Sequence, residues 1–539
     1  MKLPLTPIRC LLRAAQEYPD KVGIVDGDKR ITYAQFWDRS ARLASALAGL
    51  GVGPGDRVAS LSFNSSELLE LYYGVPMARA ILLSLNVRLS PEEQAYILEH
   101  SGSKLVVFDP EFLPLAESLH ESLPALRWLP LSDFEGAPSW CESTSYAKLV
   151  QSSAPMDVDF TTYDEDAVAE LFYTSGSTGR PKGVMLSHRT LYLHGLGVMT
   201  AGLRTPGPLR GDQKVELHTI PLFHANGWGR PHSLTMSGGR HVMVKRFEPE
   251  TVCRLIERER ATAFSAVPTM ATAMIHFPDR EKFDLTSLEE ITLGGAASTP
   301  ALVAAVQEAF NCQCQSGYGL TESGPVASTA HLKDGLGEMD ETESLRRQAS
   351  TGTAVPGCEM RVVGPDGADV PRDGKSVGEI LIRGDNVMDG YWNEPEATAA
   401  VMEGAWLHTG DMAVWDEQRY FLIVDRKKDI IISGGENISS LEIERVIAAH
   451  PAVYENAVIG APHEKWGETP IALVTLKPGA AASEDDIREH VRAHLAGFKV
   501  PTSVEFRDEL PKGATGKILK RVLREVYWEG REKAVHGAG

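Results

Sequence analysis

Apolar positions along this chain fall into two rhythms. Over Tyr33–Leu50 they recur at helical spacing, until Gly51-Val52-Gly53-Pro54-Gly55 stops the run. Arg57–Ser62, Ala80–Leu85 and Lys104–Phe108 are short blocks of strand length, and Ser65–Ala80 between them reads as a helix. Ser90-Pro91-Glu92-Glu93 is a helix start: a serine cap, proline in the first turn, and acids facing the positive end of the dipole. This alternation through residue 160 predicts a layered α/β domain, and no catalytic constellation falls within it.

Further along, Ala167–Phe172 predicts a buried strand and Val184–His188 a second. An apolar strand from His218 runs into His224, and Thr262–Pro268 and Leu288–Leu293 are further strands. A helix should open after them, with Thr299 as cap and Pro300 in its first position. Residues 201–214 form a Gly/Pro-rich loop. Residues 333–350 are acidic and polar, and predict a mobile surface loop. From Gly352 to Arg383 short strands recur between Gly/Pro turns, the pattern of a small β-subdomain. Beyond the charge run Asp425-Arg426-Lys427-Lys428-Asp429 the pattern becomes a compact αβ one. Ser439-Ser440-Leu441-Glu442 predicts a capping box opening a helix that ends near His450-Pro451. Ser483 should cap a second helix that stops at Gly497. The expected organisation is therefore an α/β chain of two domains. Residues 1–425 form layered α/β subdomains plus the small β-subdomain; residues 426–539 form a small, mobile α+β domain.

At 539 residues the chain is too long for one core, which agrees with that division. Its net charge, 54 − 73 = −19, disfavours nonspecific binding to nucleic acid or anionic membranes. The six cysteines (Cys10, Cys141, Cys253, Cys312, Cys314 and Cys358) are sparse. Cys312-Gln313-Cys314 is too tight for a zinc knuckle and has no second ligand pair. Reduced thiols and a cytoplasmic location are the expectation. The opening Met1-Lys2-Leu3-Pro4-Leu5 lacks a signal peptide's apolar core, and no run reaches the ~18 apolar residues of a membrane span.

The candidate chemistry centres on Tyr173-Thr174-Ser175-Gly176-Ser177-Thr178-Gly179-Arg180-Pro181-Lys182-Gly183, set between two strands. Glycines let backbone N–H groups approach an anion, hydroxyls add donors, and the cations neutralise charge, so a polyphosphate is the natural ligand. The spacing is not that of a Walker loop. Cys314-Gln315-Ser316-Gly317-Tyr318-Gly319-Leu320-Thr321-Glu322 is the second signal. Tyr318 between glycines exposes a ring face for a base, Thr321 can donate to phosphate, and Glu322 suits Mg²⁺. A surface turn with a stray acid is the alternative reading of those residues alone. Gly294-Gly295-Ala296 leaves room for a ligand at a strand's carboxyl end. Asp411, after Gly410, can accept from ribose hydroxyls. The tail Pro511-Lys512-Gly513-Ala514-Thr515-Gly516-Lys517 could carry a mobile cation to a site or be a solvated patch.

In this order the motifs resemble those of the adenylate-forming superfamily: acyl- and aryl-CoA synthetases, firefly luciferases and peptide-synthetase adenylation domains. The resemblance covers nearly the whole chain and is strongest toward short-, medium- and long-chain fatty acyl-CoA synthetases. It implies ATP and CoA as substrates and Mg²⁺ as cofactor. A carboxylic acid would first become acyl-AMP, with release of pyrophosphate, and then be transferred to the CoA thiol. It implies that Thr174 to Gly179 and Lys182 hold phosphates, with the Thr174 hydroxyl near a metal on Glu322. Gly295, Ala296, Ser316, Gly317, Tyr318, Gly319 and Thr321 would surround the nucleotide, with Asp411 on the ribose and Arg426 on the nucleotide side. His224, Trp228, Gly294, Gly295 and Gly319 would line the acyl path, with Trp228 as its gate. Lys428 matches the hinge about which the small domain alternates, Gly434 and Gly435 line the CoA channel, and Lys517 is the adenylation lysine. Relatives are often dimers, so a homodimer is implied; the sequence itself leaves oligomeric state open.

His224-Ala225-Asn226-Gly227-Trp228 offers no acid for an amino group, and no carrier domain follows, which argues against a peptide-synthetase domain. Nothing marks oxygen chemistry. A nucleotide-binding protein without ligase activity should have lost Lys517 or Glu322, and both are present. The setting of His224 and Trp228 resembles fatty acyl enzymes. The expected acid is a short- to medium-chain aliphatic one, with a thioether acid such as methylmercaptopropionate, a long-chain acid and an aromatic acid as alternatives.

Overall fold

Two large, mostly parallel sheets carry the loops singled out above. One runs in the order Gly390–Tyr391, Lys182–Ser187, Val168–Thr174, Ile81–Ser84, Arg57–Leu61, Ser103–Phe108, Arg127–Pro130. The other runs Thr353–Ala354, Val326–Thr329, Gln313–Gly319, Glu290–Leu293, Ala263–Ala266, Val215–His218, Arg240–Met243, Val22–Asp26, Lys29–Thr32. The computed structural model describes residues 2–174, 180–202, 211–334, 339–434, 436–512 and 518–528. By contacts it divides into a larger unit, Met1–Met360 with Ile382–Leu407, and a smaller one, Arg361–Leu381 with His408–Gly539. Asp425, where the sequence pattern breaks, lies within the smaller unit.

The helix starts follow their local chemistry. Thr32 and Gln35 make a reciprocal capping box for Tyr33–Gly49, and Ser90 and Glu93 do the same for Pro91–Ser101, which Gly102 ends in the left-handed region. Ser65 caps Ser66–Met77. Behind the first sheet, Leu61, Leu83, Val106 and Phe108 pack on Ile97, Leu98 and Leu119, with Phe108 edge-on to Trp128. Leu217, Phe264, Ile291 and Cys314 point from one face of the second sheet into another core. Burying one such Leu or Phe contributes ~1.5–3 kcal/mol.

Three expectations change. The strand before His224 is Val215–His218, and residues 219–224 turn instead of extending. Residues 341–348, expected within a mobile loop, form the helix Glu341–Gln348. Asp340 caps it, with Glu341 and Glu343 in its first turn and Arg346 and Arg347 in its last. In the smaller unit Ser439 Oγ accepts from Glu442 N, but the Glu442 carboxylate does not close the box; it binds Lys499 Nζ at 2.8 and 2.6 Å. There, Glu436–Ile438, Ile431–Ser433, Gly467–Leu476, Val453–His463 and Ser503–Phe506 form one sheet. The helices Ser440–Ala448 and Glu484–His494 contribute Ile443, Ile447, Ile487 and Val491 to its core. Glu484–His494 has its Ser483–Asp486 capping box and ends three residues before Gly497.

All six cysteines are unpaired. No described helix is long and apolar enough to cross a membrane.

Several histidines are buried in the larger unit. His188 Nδ1 meets Thr6 Oγ1 at 2.9 Å, and His218 Nε2 meets His241 Nδ1 at 2.9 Å. His194 Nε2 accepts from Val326 N at 2.9 Å, which fixes that nitrogen as unprotonated. Burial pushes His188 and His218 down to about 4 and His194 down to about 3. The unfolded chain takes up protons at these sites below pH ~6.5, while the folded chain does so only near the depressed values. Their contribution to stability is therefore complete above pH ~6.5 and is lost as pH falls toward 4. Urea midpoints measured from pH 7.5 to 5 should fall steadily below 6.5. A midpoint that stays flat over that range would contradict neutral burial.

Candidate active site

The strand Val168–Thr174 pairs antiparallel with Lys182–Ser187, and Thr174 sits opposite Lys182. The Gly/hydroxyl segment thus joins the ends of a hairpin, and Lys182 is the first residue of the returning strand. Ser175, Gly176, Ser177, Thr178 and Gly179 lie outside the described residues. Glu322 is reached from the other sheet, on the one-turn helix Thr321–Ser323 that follows Gln313–Gly319. Gly319 has to be glycine, because a Cβ there would collide with the Pro325 carbonyl. Thr174 Oγ1 donates to Glu322 Oε1 at 3.5 Å, the outer limit of a hydrogen bond, and Tyr391 OH donates to the same oxygen at 3.0 Å. Met388 N holds the Glu322 carbonyl at 2.9 Å. Lys182 Nζ lies 5.2 Å over the Tyr391 ring. Burial, then the charge of Glu322, raises the Tyr391 pKa far above that of an ordinary phenol, so it remains a donor. Ser316 is buried, Gly317, Tyr318 and Thr321 are half-buried on the same stretch, and Gly319 is exposed.

His224–Trp228 takes a different form from the one its pattern suggests. Ala225, Asn226, Gly227, Trp228 and Gly229 all have φ between 41° and 77°, a left-handed turn preceding an ordinary helix. Each non-glycine residue in that region costs roughly 1–2 kcal/mol, so other contacts must hold the turn. Asn226 Oδ1 accepts from Gly229 N at 2.6 Å, while its Nδ2 donates to Glu170 Oε2 at 3.0 Å. His232 Nε2 binds the other oxygen, Glu170 Oε1, at 2.6 Å. The turn lays the Trp228 indole against Gly294: a Cβ on Gly294 would stand 2.9 Å from Trp228 Cη2. His224 is half-buried at the start of this turn. Gly295 follows with φ 76°, and Ala296 is exposed.

In the smaller unit Asp411 is buried and faces Arg426 across a strand pair, Oδ1 to Nε at 3.1 Å. Asp425 accepts from Ser440 N at 2.5 Å and from Ser440 Oγ at 2.8 Å. The helix Lys520–Trp528 ties back to the same segment: Lys520 Nζ lies 2.8 Å from Glu444 Oε1, and Arg524 pairs with Asp429 and donates to the Lys428 carbonyl. Burial alone would lower the Lys520 pKa, but Glu444, Asp425 and Asp429 raise it. Gly434 N donates to Trp466 O at 2.8 Å. Gly435 and Lys517 lie outside the described residues; Lys512 and Ile518 pair as an isolated antiparallel bridge.

Residues 11–392 match the model of the AMP-binding enzyme family, and residues 442–517 match the model of the AMP-binding enzyme C-terminal domain. The chain belongs to the AMP-binding enzyme family. It is 38% identical to a long-chain-fatty-acid–CoA ligase of Thermus thermophilus over 501 residues, 92% of this chain and 90% of the relative. It is 34% identical to a 3-methylmercaptopropionyl-CoA ligase of Ruegeria pomeroyi over 506 residues, 93% and 92% of the two chains. The crystal structure of the anthranilate CoA ligase AuaEII in complex with anthranoyl-AMP superposes with a TM-score of 0.87 at 28% identity, covering 98% of each chain. The adenylate-forming fold expected from the motifs is thus borne out.

In this AMP-binding enzyme the Glu322 carboxylate and Thr174 hydroxyl offer hard oxygens of the kind Mg²⁺ takes. Among the described residues no three His, Cys, Asp or Glu side chains gather to hold a metal without further ligands. Such an ion would complete its shell with phosphate and water oxygens. Nothing in the sequence pattern singles out Tyr391. Tyr391→Phe removes one donor to Glu322 without opening a cavity. It should lower ATP-dependent pyrophosphate release about tenfold, since hydrogen bonds to charged groups contribute ~1.5–3 kcal/mol. Steady-state assays over a range of Mg·ATP check this, and wild-type rates would remove Tyr391 from the site.

Proposed function

We propose that this AMP-binding enzyme is an ATP-dependent acyl-CoA synthetase of domain-alternating type, acting in fatty acid metabolism on a short- to medium-chain aliphatic or thioether acid. The observation that carries the reading is the convergence of Thr174, from the phosphate-type hairpin, and Tyr391 on one Glu322 oxygen. Two motifs 148 residues apart in sequence thereby form one anionic, oxygen-rich point. A nucleotide triphosphate held by the 174–182 segment would present its phosphates there. Bound Mg²⁺, with Glu322 and Thr174 as its protein ligands, would offset phosphate charge.

In the first half-reaction the acid's carboxylate attacks the α-phosphorus of ATP and pyrophosphate leaves. The protein's part is positioning and charge stabilisation by backbone donors, Lys182 and Lys517. Tyr318, Gly295, Ala296, Ser316, Gly317 and Thr321 surround the nucleotide, and Asp411 accepts from the ribose beside Arg426. In the second, the domain of residues 426–539 turns at Lys428, Gly434 and Gly435 line the pantetheine channel, and the thiol attacks the acyl carbonyl as AMP leaves. His224 and Trp228 line the acyl path, a role supported by the indole's packing on Gly294. The proposal includes a cytoplasmic homodimer.

Lys517 separates the half-reactions. Lys517→Ala should lose ~10²–10³ in acyl-adenylate formation, the usual effect of losing one such donor. It should still convert synthetic acyl-adenylate and CoA to acyl-CoA at near wild-type rate. Equal activity in both assays would defeat the assignment. Trp228→Ala should change the order of preference across C2 to C16 acids more than it changes the KM for ATP, because it opens apolar volume. A preserved order would return Trp228 to a packing role.

A further inference from the structure

Glu322 belongs to the second sheet by its strand but to the first by its bonds. It sits in the turn that joins Gln313–Gly319 to Val326–Thr329. Within that turn Ser323 Oγ accepts from Leu320 N at 2.9 Å and lies 3.0 and 2.9 Å from the Leu320 and Pro325 carbonyls. A Cβ on Gly319 would strike the Pro325 carbonyl, so the two arms of the turn are in contact. A displacement at one end of so tight a turn is passed to the other. Bonds from the first sheet hold it. Met388 N donates to Glu322 O at 2.9 Å and Asn386 Nδ2 to Ser323 O at 2.8 Å, both from the segment leading into the edge strand Gly390–Tyr391. A further bond runs from Val326 N to His194 Nε2, at 2.9 Å.

His194 reaches Val326 from the helix His188–Gly202, which directly follows the strand Lys182–Ser187 of the phosphate-type hairpin. Its ring is fully buried and lies against Gly229, where a Cβ would overlap Cε1. Accepting through Nε2 leaves the proton on Nδ1, and Nδ1 is buried with no partner among the described residues. An apolar side chain here would deprive Val326 N of this acceptor but would spare that orphan donor, and the two effects oppose each other. Hydrogen-bond satisfaction therefore does not account for a histidine at this place. What the ring adds is the position of Val326, and with it that of Glu322. Position matters there. Thr174 Oγ1 meets Glu322 Oε1 at 3.5 Å, already the outer limit of a hydrogen bond, and Mg²⁺ demands near-ideal octahedral geometry of its oxygens.

We propose that His194 is a positioning residue for the Glu322 carboxylate: through Val326 it holds the Glu322 turn in register with the hairpin that carries Thr174. This deepens the reading of Glu322 and Thr174 as the protein's metal ligands and rests on it.

Mn²⁺ is the probe, its binding followed by electron paramagnetic resonance on protein saturated with an α,β-methylene analogue of ATP, so that no turnover occurs. His194→Gln and His194→Met have side chains of matching length, and only Gln carries an oxygen that can accept in place of Nε2. The Met variant should bind Mn²⁺ about tenfold more weakly, as is usual when a group supporting a metal ligand is removed, with a melting temperature close to that of the wild type. The Gln variant should bind it nearly as the wild type does. Wild-type Mn²⁺ affinity in the Met variant, or an equal loss in both variants, overturns this inference alone. Failure of either variant to fold would make the ring a structural requirement and overturn it too. Glu322→Gln is the reference: if it binds Mn²⁺ as tightly as the wild type, the metal reading beneath the inference fails with it.

Discussion

The buried carboxylate of Glu170 joins the two halves of the larger unit's chemistry. It lies in the strand that ends at Thr174, fully enclosed, and its two oxygens are taken by Asn226 and His232. A buried carboxylate is tolerable only when it is hydrogen-bonded, and losing one partner would leave an uncompensated charge. The same contacts hold a left-handed turn that its backbone alone would not choose. Through that turn the strand feeding the phosphate-type hairpin also governs where the Trp228 indole rests on Gly294. The strand that ends at Thr174 and the Trp228 turn are therefore positioned by one polar bond set, not by two independent loops.

Glu322 completes the geometry from the neighbouring sheet. It follows the strand Gln313–Gly319, at the carboxyl end where open α/β sheets leave room for ligands. Hydroxyls from Thr174 and Tyr391 meet it there. One face of that sheet is apolar and supplies a core, while the other is polar and charge-balanced. The apolar face accounts for packing, while the polar one is held by Arg230, Lys214 and Gln315.

The smaller unit shows how charge can fix a segment that its composition marks as solvated. Asp425 holds the start of the helix Ser440–Ala448, while Asp429 and the Lys428 carbonyl are held by Arg524 of the terminal helix. Lys428, proposed as the hinge, is thus anchored with Asp429 by the helix Lys520–Trp528. Any rotation there would have to carry or break those bonds.

Much was legible before the fold was known. Serine and threonine caps, apolar periodicity and the glycine-rich turns are local, and local chemistry placed the helices at 33, 66, 91, 300, 440 and 484 close to where they occur. The order of the motifs was enough to indicate the family. The acidic stretch before 350 was misjudged because its charge hid an equally local signal, an Asp cap with acids first and arginines last. Glu442 fitted a capping box by spacing, but Lys499, 57 residues away, offered a stronger partner. Tyr391 on Glu322, the left-handed turn at Trp228 and the buried polar face around Arg230 were decided by the tertiary structure alone. Each depends on which distant group is within 3 to 4 Å, and spacing along a chain carries no record of that distance.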